Sequence, residues 1–298
     1  MSGQDWTFVS IASWPVGWGE RERHAALVKA GMPAPDAVGV SRRTAPMVIK
    51  RLPRASGESL IRGLAAQGVE AFGLSRDEMD RPVAPTPAKC LRAALGSPKP
   101  MYLVESWRES VFPNVTLMMD QVFLIIRATV TVQVTRTVIE PDEPDRMLGI
   151  GFPGDVLASG VAGSIGRLAY RAAADESELI HKSSSTRSSG DQVIEMYLMD
   201  GSRVRINSAQ FNFDVLGNAK GMTDRENMDT LMLRLSEEAT HAMIEFGFEA
   251  FRPPSELRLS ASEMYGTNTT VKVVDPWPAF EFYSVWRYVM ARQQAGLA

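Results

Sequence analysis

The chain has 298 residues, with 32 Lys+Arg against 35 Asp+Glu for a formal charge of −3, and is 45% hydrophobic and 22% charged. These ordinary globular values exclude a disordered, collagen-like or coiled-coil chain, and the near-neutral charge argues against bulk binding of nucleic acid. One cysteine, Cys90, excludes an intrachain disulfide and a thiolate metal cluster, and fits a reducing compartment.

The opening residues Met1 to Trp6 lack the basic flank and apolar core of a signal peptide. The most apolar stretch, residues 115–138, is interrupted by Asp120, Arg127 and Gln133. No run reaches the roughly 18–20 apolar residues a spanning helix needs. The sequence therefore predicts a cytoplasmic protein without a membrane span.

Residues 6–11 alternate as a strand, and residues 20–30 read as a helix stopped by Gly31. A short helix is expected over 35–43, with Asp36 early and Arg42-Arg43 late, and Pro46 ends it. Residues 47–52 form the next strand. Ser56 caps a helix whose Leu60, Ile61, Leu64 and Ala65 make one apolar stripe closed by Gly68. Residues 69–74 alternate again. The order is β-α-α-β-α-β, a small α/β domain over residues 1–75.

Gly31-Met32, Asp36-Ala37, Ala45-Pro46-Met47-Val48-Ile49-Lys50, Leu60 to Gly68 and Val69-Glu70-Ala71 together carry a likeness. This run resembles the C-terminal domain of the bacterial ribosomal stalk protein, which shows the same progression in the same order. In that family a Gly-Leu-Gly-Leu-Lys-Glu segment docks translation factors. Here the stretch reads Gly31-Met32-Pro33-Ala34-Pro35-Asp36, without the Lys. The resemblance implies the fold and not the translation-factor site.

Residues 76–100 hold Pro82, Pro85, Pro87, Pro98 and Pro100 and few large apolar side chains. Repeated proline removes backbone donors and favours extended chain, so the segment reads as a linker, with one helical turn or two over 90–95. A β-rich domain follows over 101–298. Strands are expected at 101–107, 122–138, 193–199, 202–206 and 211–215. Asp200-Gly201 marks a two-residue hairpin turn. Thr223-Asp224-Arg225-Glu226 is a capping box opening a helix over 224–243, with Met228, Leu231, Met232, Leu235 and Ala239 at helical spacing. Strands closed by an amphipathic helix are similar to pleckstrin-homology-like folds. The overall expectation is an α+β protein with a small N-terminal domain, a Pro-rich linker, and a barrel or sheet plus helix.

Chemistry-bearing motifs are sparse. Gly149-Ile150-Gly151-Phe152-Pro153-Gly154 is a GxGxxG, but it follows an acidic proline turn and Pro153 removes a donor, so it reads as a connector. Residues 158–174 are rich in Gly and Ala, as a closely packed helix or loop would be. His24, His181 and His241 have no metal spacing. His181 precedes the Ser-rich run 183–189, a loop ill-suited to holding an orienter and an oxyanion hole. The acidic turn 140–145 lacks an EF-hand ligand order. No catalytic residue, cofactor or metal site is predicted.

The favoured function is a non-enzymatic protein-interaction or scaffold role, with a protein partner or self-association. The alternative is binding of a nucleotide or lipid head group through residues 149–154 or an Arg187, Arg203, Arg205 face; nucleic acid is disfavoured. The candidate interaction residues are Phe282, Trp286 and Val289 on a helix over 278–295, with Arg203 and Arg205. A stripe that apolar must dock on its own domain, on a second subunit, or on a membrane surface, in that order.

Overall fold

The computed structural model describes residues 5–80, 82–94, 96, 99–107, 112, 114–138, 183–253, 260–265 and 269–297. The fold is α+β. It divides into two compact units: residues 1–129, 192–258 and 279–298 form the first, and 130–191 and 259–278 the second.

The first unit begins with the expected β-α-α-β-α-β order. Strand β1 (Trp6–Ser13) lies between β2 (Met47–Pro53) and β3 (Glu70–Ser75), antiparallel to both. Helices α1 (Glu20–Lys29), α2 (Ala34–Ser41) and α3 (Arg54–Ala65) pack on one face. There Val9 and Ile11 meet Leu27, Val40, Leu60 and Leu64. Helix α3 starts at Arg54, one turn of chemistry earlier than a Ser56 cap would set it. Pro53 ends β2 in an extended conformation, and Arg54 pairs with Asp5 and Glu58. Gly57 lets α3 sit tight on β1, since a Cβ there would lie 2.1 Å from the Thr7 methyl.

The expected linker is not one. It holds α4 (Arg76–Asp80) and β4 (Thr86–Ala93), and Ala88 and Leu91 are buried in the main core. β4 pairs parallel with β9 (Arg203–Asn207) and antiparallel with β5 (Met101–Ser106). The proline-fixed φ that suggested a linker is equally compatible with a strand. Pro87, lacking an N–H, contributes its carbonyl, which accepts from Trp107 N at 3.4 Å. The helical turn expected over 90–95 is absent, because residues 90–93 are strand.

The remaining sheet of this unit is open. β6 (Val115–Met118) pairs with β5, and β8 (Ser183–Leu198) with β9. The order β7-β8-β9-β4-β5-β6 begins with β7 (Val122–Val138), which also takes β10 (Met243–Glu245) in parallel. Alternation sorts β8 into two faces. Ile194, Met196 and Leu198 face a core shared with α5 (Asp224–Glu238), whose Met228, Leu231, Met232 and Leu235 are buried. Thr223 and Glu226 cap α5 reciprocally, as the sequence predicts. The helix stops at Glu238 instead of 243, where Ala239 leaves helical geometry (φ −96, ψ 62).

Two further expectations change. Residues 211–215 are not a strand: Asn212 accepts from Asp214 N and starts a 3-10 turn over Phe213–Ala219. Between the hydrogen-bonded Leu198 and Ser202 the β8–β9 hairpin has three loop residues, 199–201. Leu198 N donates to Ser202 O and Gly201 N to Leu198 O, and Gly201 takes φ +87. This matches a turn followed by a left-handed residue, so Gly201 alone needs positive φ.

Opposite α5, the β8 face carrying Glu195 and Tyr197 is covered by α6 (Trp277–Gln294). The other side of α6 meets the three-stranded sheet: Phe282 packs edge-on to Phe8 at 4.9 Å, and Trp286 Nε1 donates to Ser10 Oγ at 3.0 Å. A helix apolar almost all round is thereby buried between two sheets.

The second unit contains β11 (Ser260–Tyr265), β12 (Thr269–Asp275) and parts of β7 and β8. β12 pairs antiparallel with β11 and with residues 133–138 of β7. Val132, Val134, Val271 and Val273 form its small core. The Ser-rich run expected as a loop is part of β8.

Candidate functional site

The five residues singled out as an interaction surface are mostly internal. Trp286 is fully buried, Phe282 is buried, and Val289 is half-buried along α6. Their apolar stripe is used within this unit, where Phe282 meets Phe8 and Trp286 meets Ser10 of β1. Arg203 is also buried, and Arg205 is nearly so.

These arginines belong to an ion cluster that the hairpin and α6 build together. The β8–β9 register places Glu195 opposite Arg205 and Tyr197 opposite Arg203. Glu195, completely buried, accepts from Arg203 Nε at 2.9 Å, from Arg205 Nε at 2.6 Å, and from Ser284 Oγ at 2.7 Å. Because Ser284 donates to Glu195, the Tyr197 hydroxyl at 2.9 Å is the donor to Ser284. Half-exposed Glu281 on α6 closes the set, 3.1 Å from Arg203 Nη2 and paired with Arg205.

Burial alone would push the Glu195 carboxyl up, but Arg205, Arg203 and the Ser284 hydrogen bond hold it below the ordinary carboxylate value. Burial also pushes Tyr197 well up, and the Glu195 charge adds to this. Two carboxylates against two guanidiniums leave no free basic face. The Arg203, Arg205 reading as a head-group site is corrected accordingly: both side chains are spent inside the fold. The signal was legible, since Glu195 interrupts an apolar strand and Arg203 and Arg205 recur at the same period across a short hairpin.

A second set anchors β10. Glu245 Oε1 accepts from Tyr283 OH and Gly247 N, each at 2.8 Å, and its other oxygen pairs with Arg287 of α6. Burial and the Glu245 charge push the Tyr283 hydroxyl well up. With Glu245 turned inward, its neighbours face out: Met243 is 38% exposed, Ile244 41% and Phe246 55%. Among the described residues β10 pairs with β7 alone, and no described strand pairs with its other edge. An apolar open edge is a template for another strand. Sequence reasoning missed it because Met243 falls at the end of the helix expected over 224–243 and a three-residue strand is too short to show an alternation.

Residues 149–154, 158–174, 140–145 and His181, and the side chain of Arg187, lie outside the described residues. Among the described residues, no three or more His, Cys, Asp or Glu come together as metal ligands, and no helix is long and apolar enough to cross a membrane. No protein-family model, curated protein or solved structure matches the chain.

Proposed function

We propose that this chain is a non-enzymatic adaptor that takes up a partner polypeptide by strand addition at the open edge of β10. The observation that carries the reading is the exposed Met243 and Ile244 on β10, with Phe246 exposed just after it, on a strand anchored through Glu245 to Arg287 and Tyr283. Main-chain pairing supplies affinity in such a mode, and the alternating side chains supply selectivity. The resemblance of residues 31–71 to the stalk-protein domain enters the proposal for the fold of the N-terminal elements alone, and the docking edge does not rest on it. We carry the likeness of the C-terminal half to pleckstrin-homology-like folds in the same proposal, on the order of strands before an amphipathic helix. The proposal places the adaptor in the cytoplasm, where its single cysteine stays reduced.

Affinity capture with quantitative mass spectrometry tests this. The parent and Met222→Lys, at a position 99% exposed, should retain a common partner that Ile244→Lys loses, with all three melting alike. If Ile244→Lys captured the same proteins as the parent, β10 would not be the docking edge. Light scattering on the same samples separates a foreign partner from a second copy of this chain.

A further inference from the structure

We draw no further inference here: the strongest candidate, the face of β5 and β6 turned away from the main core, where Leu103 and Met118 are exposed, carries nothing because nothing in the structure shows what covers it.

Discussion

Glu195 is the residue on which most of the buried polar chemistry converges, and it makes a pH-dependent contribution of definite sign. Its carboxyl is held below the ordinary value in the fold, despite burial, by Arg205, Arg203 and Ser284. The resulting stabilisation is complete above the unfolded value, about 4.3, and is lost as pH falls through the lower folded value. Acid unfolding followed by circular dichroism should show this loss in the parent and not in Glu195→Gln. At neutral pH Glu195→Gln should cost about 3–5 kcal/mol in urea melts, because two buried guanidiniums lose a charge partner. Cys90 offers a second check at this scale. Burial and its hydrogen bond to Glu105 at 3.1 Å raise the thiol above its ordinary value. Alkylation at pH 7.5 should be slower than for a free thiol, and Glu105→Gln should speed it. An unchanged rate in that variant would remove Glu105 from the account. At this scale the sequence was partly legible. Strand alternation around Glu195 and Arg205 implies a cross-hairpin pair, but the third element, α6, is 76 positions from Arg205 in the chain and no local pattern announces it.

Among the elements, α6 and β4 show what a linear reading sees and misses. The α6 stripe was visible as too apolar to leave in water, and its burial is complete at Phe280 and Trp286. Which surface it would meet was not legible, because Phe8, Ser10 and Tyr197 are distant in sequence and belong to two different sheets. Trp286→Ala should cost about 3–5 kcal/mol in denaturant melts, as for a large aromatic removed from a core. Trp286→Phe should cost less and isolate the hydrogen bond to Ser10. A loss below about 1 kcal/mol for the alanine variant would place Trp286 at a surface instead. In β4, proline composition masked a strand whose Ala88 and Leu91 are core residues. Composition reports what a segment resembles on average; pairing depends on neighbours that local composition does not encode. The hairpin gives a milder lesson: Asp200-Gly201 located the turn, but the loop has one residue more than expected. Gly201→Val should still destabilise by about 1–3 kcal/mol, since it strains a left-handed position.

For the whole molecule, the α+β class and the order of the first six elements could be read from periodicity and punctuation, while the division of the chain could not. The N-terminal α/β elements share a unit with the large sheet and with the last helix, so that unit is built from three separate stretches of chain. Limited proteolysis should accordingly spare residues 86–93 at protease levels that cut exposed loops. Two functional consequences follow from this arrangement. The apolar C-terminal helix is consumed in holding the unit together, and the edge of β10 is the surface that the proposed adaptor role assigns to a partner. Native-state hydrogen exchange of the full chain tests both at once, because protection follows burial and paired amides. The account predicts that amides of Trp277–Gln294 beyond the first turn exchange among the slowest in the chain, and that those of Met243–Glu245 exchange among the fastest of any strand. Comparable exchange in the two segments, or a slow β10 beside a fast C-terminal helix, would contradict it.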